Sequence, residues 1–294
     1  MSRTRSVKSV SLVIPVYNQL DYTKQCLESI ARCTDQPYEL IIVDNASTDG
    51  TQDFLRDVEA TVITNPGNLG CAKAWNQGVQ ASHGDAVGIL NNDIVVTKGW
   101  IEGLVKFMEQ EEHGIVSPAA REGHLCYDLD AYAREFTQSC KEATRSELYG
   151  ACMVINRDVF DRVGLFDEAF AYGGCEDIDF FWRAKATGFS AGLTGSVLIH
   201  HFSMVTQDAI KRSETKVYPA ENLAYFRKKW NRTVRSHSPD SLLDQRMPIA
   251  QSLIPSDPFI LKVGPTSGSP LASHGSVPLF PEIGKILGWI DLGL

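Results

Sequence analysis

Three short polar stretches carry the residue types that bond-making chemistry needs. LNNDIVV, residues 90–96, sets two amides and the carboxylate of Asp93 between apolar runs; EDID, residues 176–179, places three acids in four positions; and His200 and His201 end the apolar run VLIHH. A carboxylate combined with an imidazole suits Mn²⁺ or Mg²⁺ when water and phosphate oxygens fill the remaining positions. A carboxylate beside other carboxylates has a raised pKa and can act as a general base.

Each stretch also has an ordinary structural interpretation. Asp and Asn are frequent in turns and helix caps, and a histidine at a strand end is usually structural. Asp177 or Asp179 can cap the helix that carries Phe180, Phe181 and Trp182, because a carboxylate at a helix N-terminus is stabilised by the helix dipole. From EDID alone, both the general base and the cap remain open.

The apolar pattern around these stretches alternates strands with helices. Near-continuous apolar runs, typical of strands buried on both faces of a parallel sheet, predict strands over residues 10–16, 39–43, 60–64 and 86–90. Helical spacing predicts helices over residues 21–33, 51–58 and 71–82. The alternation predicts an α/β domain with a mostly parallel, Rossmann-like sheet flanked by helices.

Polar residues follow each of the four predicted strands. Since ligands of open parallel sheets bind beyond the carboxyl ends of the strands, four such ends predict one shared site. The residues in question are Pro15, Tyr17 and Asn18; Asp44, Asn45 and Ser47; Asn65, Asn68 and Gly70; and Asn91, Asn92 and Asp93.

The second half of the chain has a different pattern. An amphipathic helix is predicted over residues 100–110, a strand over residues 149–155, and a short helix that ends at Gly164. Residues 119–148 are mixed and polar, and we expect a mobile or insertion-like region there.

Composition narrows the function classes. A net charge of −8 argues against a protein that coats nucleic acid. Seven scattered cysteines without a Cys-x-x-Cys pair favour reduced thiols in a cytosolic protein.

No run reaches the roughly 18 apolar residues that a membrane-spanning helix needs. The basic and apolar residues at the N-terminus are better explained by a first strand than by a secretion signal. We therefore expect a cytoplasmic protein, at most peripheral at the inner face of the membrane.

With these residues in place, the chain resembles glycosyltransferase family 2, the inverting nucleotide-sugar enzymes with the GT-A fold, and within it rhamnosyltransferase-like members. The resemblance covers about residues 9–206 and is carried, in the family's order, by SLVIPVYNQ, IIVDNASTDGT, NPGNLGCAKAWNQG, LNNDIVV, GGCEDIDFFWRAKATG and HHFSMVT. Each motif alone is weak, but six in order are specific.

The resemblance implies a donor site. Pro15, Tyr17 and Asn18 would line the nucleoside pocket, Asp44 would hydrogen-bond the base, and Asn45 and Ser47 would support that loop. The Asn- and Gly-rich turn would lie near ribose and diphosphate through Asn68, Gly70, Lys73 and Asn76. Asp44 suits a pyrimidine N–H, which favours UDP- or dTDP-sugars. The resemblance further implies transfer of a hexosyl or deoxyhexosyl group.

The resemblance also implies the catalytic and metal-binding residues. LNNDIVV occupies the place of the family's D-x-D motif, with Asp93 as metal ligand and Asn91 and Asn92 contacting the nucleotide sugar; Asn91 stands where the first Asp would be. Asp177 would be the general base, with Glu176 as the fallback. His201, five positions before Thr206, would be the second ligand of Mn²⁺ or Mg²⁺ in preference to His200.

The predicted domain organisation is a catalytic domain over residues 1–235, with a nucleotide-binding half near 9–97 and an acceptor half near 98–206. The basic stretch 211–235 fits a solvated helix face, or contact with diphosphate or an anionic membrane surface. Residues 236–294 are expected to be a C-terminal extension, a Ser/Pro/Gly-rich linker followed by an apolar segment that would dock, pair with another subunit or lie on a membrane.

The implied partners are a nucleotide-sugar donor and a glycan, lipid-linked or protein acceptor, as in the synthesis of bacterial cell-surface polysaccharide. Two alternatives stay open. A sugar-nucleotide pyrophosphorylase would carry a G-x-G-x-R loop after the first strand, where this chain has PVYNQ. A non-catalytic nucleotide-sugar binder would be expected to lose the base, whereas EDID is intact.

Overall fold

The computed structural model describes residues 4–203, residue 205, residues 218–236 and residues 260–263. The strands in these ranges are β1 (Val10–Val16), β2 (Tyr38–Asp44), β3 (Thr61–Thr64), β4 (Ala86–Leu90), β5 (Ile94–Val95), β6 (Ile115–Gly123), β7 (Thr144–Arg145), β8 (Cys152–Asn156), β9 (Ala191–His201) and β10 (Ile260–Val263). The helices are α1 (Leu20–Cys33), α2 (Thr51–Leu55), α3 (Cys71–Ala81), α4 (Trp100–Gln110), α5 (Leu129–Cys140), α6 (Arg157–Val163), α7 (Glu176–Ala186) and α8 (Tyr218–Ser236).

The first four strands form the parallel half of one sheet, as the sequence predicted. Strand β1 lies between β2 and β4, and β3 pairs with the outer edge of β2, all in parallel. Every residue of β4 and nearly every residue of β1 is buried, because helices cover both faces. The carboxyl ends of these strands therefore meet at one edge.

The second half of the sheet contains strands of reversed direction. The sheet order is β3-β2-β1-β4-β8-β6-β9-β5, with β10 on β6 and β7 on β9. Strand β8 runs antiparallel to β4, with Cys152 opposite Leu90, and β5 runs antiparallel to β9, with Ile94 opposite His201. The start of β8 thus reaches the same edge as the end of β4.

Two apolar clusters, one on each face, hold the helices on the sheet. Trp100 and Leu104 of α4 pack with α1 and α5 on one face. Trp75 of α3 and Phe180 of α7 pack with α6 on the other. Burial of large apolar side chains on both faces is the main stabilising contribution to such a layered fold.

Residues 119–148 differ from the sequence expectation. Residues 119–123 continue β6, a strand inside the sheet that pairs with β8 and β9, and residues 129–140 form α5, whose first turn is capped by the Asp128 side chain through the Ala131 N–H. The expectation of a mobile insertion was wrong here, because Pro118, Arg121 and Glu122 obscured the strand pattern. Likewise β8 begins at Cys152, three residues later than predicted.

Most of the C-terminal extension lies outside the described residues. The exception is Ile260–Val263, which lies within the predicted linker and pairs in parallel with residues 120–123 of β6. None of the described helices combines the length and the hydropathy that crossing a membrane requires.

Candidate active site

The turns that follow β1 and β2 are tied to each other. The Asn18 backbone N–H donates to Ser47 Oγ at 2.7 Å, and Asn18 Oδ1 accepts from the Thr48 N–H at 2.7 Å. Asn18 and Ala46 adopt positive φ values of 56° and 64°, which Asn tolerates better than most residues. Pro15, Tyr17 and Asn18 are half-buried beside this turn, so their placement agrees with the predicted nucleoside pocket.

Asp44 lies fully buried at the end of β2. Its Oδ1 accepts from the Ser47 N–H at 3.0 Å, and its Oδ2 accepts from Gln52 Nε2 at 2.8 Å. The carboxylate lines a cavity of about 340 Å³ together with Arg56 and Thr64. Each carboxylate oxygen has a second lone pair, so Asp44 can still accept a hydrogen bond from a ligand.

An amide network continues along this edge from β2 to α3. Asn45 Oδ1 accepts from Asn65 Nδ2 at 2.8 Å, and Asn65 and Gln77 exchange hydrogen bonds of 2.9 and 2.8 Å. Asn45 thus links the end of β2 to Asn65, which follows β3.

The loop before α3 contacts the loop before α7 through main-chain atoms. Asn68 Oδ1 accepts from the Gly70 N–H at 3.0 Å, and Gly70 has a φ of 84°. A Cβ at Gly70 would lie 2.7 Å from the Tyr172 nitrogen, so only glycine fits this approach. The Cys71 N–H donates to the Tyr172 carbonyl at 3.1 Å. Lys73 is exposed on the first turn of α3.

Asn76 and Asn92 do not face the site in the predicted way. Asn76 is buried, and its amide exchanges hydrogen bonds with the Phe166 main chain and donates to Glu168 at 2.9 Å. The buried Asn92 amide donates to Thr23 Oγ1 of α1 at 3.0 Å. Since both amides hold one element to another, their placement argues against the predicted nucleotide contacts. Asn91 is half-buried, and its backbone N–H donates to the Ala151 carbonyl.

Asp93 and His201 come together across the β5–β9 pair. His201 Nε2 lies 3.2 Å from Asp93 Oδ1, and both side chains are at least nine-tenths buried. Among the described residues this Nε2 has no hydrogen bond of good geometry, and it points at a carboxylate oxygen. A hard oxygen and an imidazole nitrogen aimed at the same point fit Mn²⁺ or Mg²⁺. Within the described part of the chain, no group of three or more His, Cys, Asp or Glu side chains could hold a metal alone, so phosphate or water would complete the coordination.

Two residues that sequence analysis missed orient His201. The Tyr149 hydroxyl donates to Glu122 Oε1 at 2.7 Å and lies 2.6 Å from His201 Nδ1. Nδ1 then carries a proton and Nε2 faces Asp93, which is the usual arrangement behind a metal-binding histidine. Burial lowers the pKa of His201, but Asp93 and Glu122 outweigh burial and raise that pKa to about 9.

His200 points to the opposite side of β9. It is fully buried, its Nδ1 lies 2.8 Å from the Tyr127 hydroxyl, and burial together with the neighbouring His201 lowers its pKa to about 4. The placement agrees with the preference for His201 over His200. Thr206, which supported that preference, lies outside the described residues.

Glu176 and Asp177 occupy the first turn of α7. Cys175, with a φ of 76°, is the N-cap residue, so neither Asp177 nor Asp179 caps the helix. Burial, reinforced by the charge of Asp177, raises the pKa of Glu176 to about 8. Burial also raises the pKa of Asp177, while the Ile178 N–H, at 2.8 Å from Oδ1, counteracts this effect. With this pKa, Glu176 holds a proton near neutral pH.

The third acid of EDID has a structural role. Asp179 is fully buried and accepts from Arg183 Nε at 2.8 Å, from Lys229 Nζ at 2.7 Å and from Trp230 Nε1 at 3.1 Å. Lys229, from the basic stretch, thus faces inward, whereas Arg227 and Lys228 are exposed. Residues 211–217 of that stretch lie outside the described residues.

Cys71, the first residue of α3, is influenced electrostatically by three of the acids described above. Burial raises the pKa of its thiol, and Glu176, Asp177 and Asp93 raise it further, so all three carboxylates lie within electrostatic reach of this residue. Gly150, at the start of β8, is also close: a Cβ there would overlap with Asp177 Oδ2.

Sequence signals for the missed residues were partly present. Glu122 is at the end of β6 and would have joined the other strand-end residues had this strand been predicted. Tyr149 and Gly150 precede a strand of reversed direction, so a rule based on strand carboxyl ends does not find them.

The fold and this edge of the sheet define a class of protein. The structure of the mannosyltransferase PcManGT from Pyrobaculum calidifontis in complex with GDP-Man and Mn²⁺ superposes with a TM-score of 0.56 at 19% identity, covering 81% of this chain and 66% of that one. GalNAc-T7 with UDP, GalNAc and Mn²⁺ superposes with a TM-score of 0.54 at 16% identity, covering 67% and 44%. The fold is that of the GT-A glycosyltransferases.

The model of the family described as Glycosyl transferase family 2 matches residues 11–164, a little over half of the chain. The chain belongs to glycosyltransferase family 2.

Curated relatives extend the similarity. Glycosyltransferase GlyG of Streptococcus pneumoniae is 30% identical over 112 residues, or 36% of this chain and 37% of that protein. Glycosyltransferase AglE of Haloferax volcanii is 26% identical over 205 residues, or 65% of each. The y4gI protein of Sinorhizobium fredii is 24% identical, covering 75% of this chain. The chain spans between 27% and 65% of the lengths of these three relatives.

Proposed function

We propose that this protein transfers a sugar from a nucleotide-diphosphate sugar to an acceptor hydroxyl with inversion at the anomeric carbon. The observation that carries the proposal is the convergence of the Asp93–His201 pair and the Glu176–Asp177 pair beside the segment before β8, where Tyr149 contacts His201 and a Cβ at Gly150 would overlap with Asp177. One pair suits a divalent cation on a diphosphate, and the other pair contains a base.

Each residue has a role in this proposal. A bound Mn²⁺ or Mg²⁺, held by Asp93 and His201, would supply positive charge to the departing diphosphate. The main-chain N–H groups at the start of α3 would bind phosphate oxygens, because a helix N-terminus attracts anions. The acceptor oxygen would attack the anomeric carbon while the bond from that carbon to the diphosphate breaks. Asp177 would take the proton of the acceptor hydroxyl in the same step. A single in-line displacement inverts the configuration.

We propose that the nucleotide of the sugar donor is a pyrimidine nucleotide, UDP or dTDP. Asp44 can accept from a pyrimidine N–H, and its cavity of about 340 Å³ is bounded by Gln52 and Arg56. The solved neighbours contain UDP in one case and GDP-Man in the other, so the base must be tested directly.

The proposed acceptor is a glycan, lipid-linked or protein hydroxyl in bacterial cell-surface synthesis, reached from the cytoplasm. A non-catalytic nucleotide-sugar binder is the alternative. A pyrophosphorylase is less favoured, because PVYNQ follows β1 where that class has its glycine-rich loop.

The test is a thermal-shift screen of UDP, GDP and dTDP, each with and without Mn²⁺. A ligand at about a hundred times its dissociation constant stabilises the folded state by about 2.7 kcal/mol. We expect UDP or dTDP to raise the Tm with Mn²⁺, and this metal-dependent shift to disappear in Asp93→Ala.

The matched control is Asp35→Ala, which removes an exposed carboxylate 4.0 Å from Lys98 Nζ and should keep the full shift. A larger shift with GDP would contradict the pyrimidine assignment. Equal shifts in the wild type and Asp93→Ala would contradict the proposed metal site.

A further inference from the structure

The turn that leads into α7 is held in an unfavourable backbone conformation. Four consecutive residues, Tyr172, Gly173, Gly174 and Cys175, have φ values of 57°, 154°, 110° and 76°. For Tyr and Cys, positive φ is unfavourable and persists only where surrounding contacts impose it. We call residues 172–175 the base turn, because Glu176 and Asp177 follow it directly.

The contacts that impose this conformation come from α8. Asn222 is 2% exposed, and its Oδ1 accepts from the Ala171 N–H at 2.9 Å. Its Nδ2 donates to the Ala171 carbonyl at 2.9 Å and to the Gly173 carbonyl at 3.2 Å. One side chain thus satisfies three main-chain groups at the entrance of the base turn.

Helix α8 is anchored on both sides of the base turn. Before the turn, Asp167 accepts from Tyr225 at 2.9 Å and from Lys229 at 2.7 Å. After the turn, Asp179 accepts from Lys229 and Trp230, and Trp182 packs edge-on against Trp230 with ring centroids 4.8 Å apart. Asn222 is therefore presented to the turn by a helix that both flanking segments fix in place.

The base turn also contacts the loop before α3, in the predicted nucleotide-binding half (residues 9–97). The Tyr172 carbonyl accepts from the Cys71 N–H, and Gly70 leaves no space for a side chain against Tyr172. Loosening the Asn222 contacts would remove the three hydrogen bonds between the Asn222 side chain and residues 171 and 173.

We infer that Asn222 is a positioning residue for the general base: it fixes the base turn and, through it, the carboxylate of Asp177. The inference deepens the proposed function and rests on it for the catalytic role of Asp177. Asn222 lies well beyond residues 11–164, the segment that matches the family model, so α8 adds this support from outside that segment.

The first experiment measures the turn itself by hydrogen–deuterium exchange of the full chain. In Asn222→Ala and Asn222→Asp we expect the amides of residues 170–178 to exchange about tenfold faster than in the wild type, while the peptides of β1 and β4 do not change. The Asp variant tests the two donated bonds, because a carboxylate cannot donate to the Ala171 and Gly173 carbonyls.

The matched control is Tyr225→Phe, which removes a hydrogen bond from the same helix to Asp167 but none to the base turn. It should leave exchange at residues 170–178 unchanged. If the Asn222 variants exchange there as slowly as the wild type, or if Tyr225→Phe speeds exchange equally, the positioning role is wrong.

The second experiment measures turnover, as release of UDP or dTDP from UDP-glucose and dTDP-glucose with water as acceptor. We expect kcat to fall by about tenfold or more in Asn222→Ala with KM for the donor changed less than about twofold, since misplacement of a catalytic group lowers kcat. The acidic limb of the pH–rate profile should move to lower pH, because water entering the loosened turn lowers the pKa of Asp177.

The two hypotheses fail in different ways. Absence of nucleotide release by the wild type would count against the proposed function, and the exchange experiment would still decide whether Asn222 holds the turn. A wild type that turns over and an Asn222→Ala variant with unchanged kcat and pH profile would overturn the inference alone.

Discussion

At the scale of single residues, the two acids that begin α7 have different electrostatic states. Glu176 is buried, and one of its oxygens has no hydrogen-bond partner among the described residues. Its pKa of about 8 means that it holds a proton near neutral pH. Asp177 accepts from the Ile178 N–H, which opposes the effect of burial on its pKa. A base must be ionised to accept a proton, so this difference favours Asp177.

Replacing Asp177 by Asn should remove the base while conserving shape. General base catalysis contributes typically about 10²–10⁴-fold, and we expect the transfer or hydrolysis rate to fall by about a thousandfold. The Mn²⁺-dependent Tm shift with nucleotide should persist, because Asp177 is not a proposed ligand of metal or nucleotide. A variant with full activity would show that another group is the base.

Glu176 makes stability depend on pH. Because burial raises its pKa from 4.5 to about 8, the folded protein keeps a proton that the unfolded chain releases between these values. Stability is therefore lost as pH rises from about 4.5 to about 8. Glu176→Gln cannot ionise and should gain on the order of 4 kcal/mol relative to the wild type at pH 8, and almost nothing at pH 4.5. Urea unfolding at both pH values measures this, and a difference independent of pH would contradict the burial effect.

At the scale of elements, the residues just before β8 contact both the proposed metal ligand and the proposed base. Tyr149 contacts His201 on the metal side, and Gly150 leaves the space that the Asp177 carboxylate occupies. Neighbouring residues of one segment thus touch the proposed metal ligand and the proposed base.

A methyl group at position 150 should therefore displace the base. In Gly150→Ala the Cβ would overlap with Asp177 Oδ2, the end of a side chain that can move, so the fold should tolerate the change. Misplacement of a catalytic group can lower the rate by about a hundredfold, and we expect kcat to fall by about that factor. The assay is nucleotide release, as for Asp177→Asn.

Gly188→Ala provides the control for stability. Gly188 has a φ of +89° and open space around its Cα, so Ala there should cost about 1 kcal/mol of stability without touching Asp177. If both variants lose activity equally, the effect of Gly150→Ala comes from destabilisation and not from the position of the base.

The local pattern of apolar residues in the sequence predicted strands β1 to β4 well, because each of them is a short apolar run followed by turn residues. It failed at β6, where Pro118, Arg121 and Glu122 interrupt the apolar run although the strand is buried between neighbours. It also does not reveal the contacts of Asn76 and Asn92. Their residue types suit a ligand site, but their partners, Phe166 and Thr23, are distant in sequence, so only the tertiary structure shows these bonds.

At the scale of the whole molecule, the loop before α3 and the base turn are in direct main-chain contact. Gly70 and Cys71 touch Tyr172, although about a hundred residues separate them. Nucleotide that orders the loop before α3 should therefore also order the base turn.

This contact predicts an ordered mechanism in which the donor binds first. Initial-rate measurements with varied donor and acceptor, combined with inhibition by UDP, should show UDP competing with the donor and not with the acceptor. An acceptor that binds equally well with and without nucleotide, measured by calorimetry, would contradict the coupling.

The reversed direction of β8 has a consequence for engineering. Tyr149 and Gly150, just before β8, lie at the site, whereas the junction between β8 and α6 lies at the far edge, where Asn156 and Asp158 bond to Arg5. Changes just ahead of Tyr149 can therefore reach the site without altering strands β1 to β4 or helix α7. We expect such changes to be a route to altered acceptor selectivity.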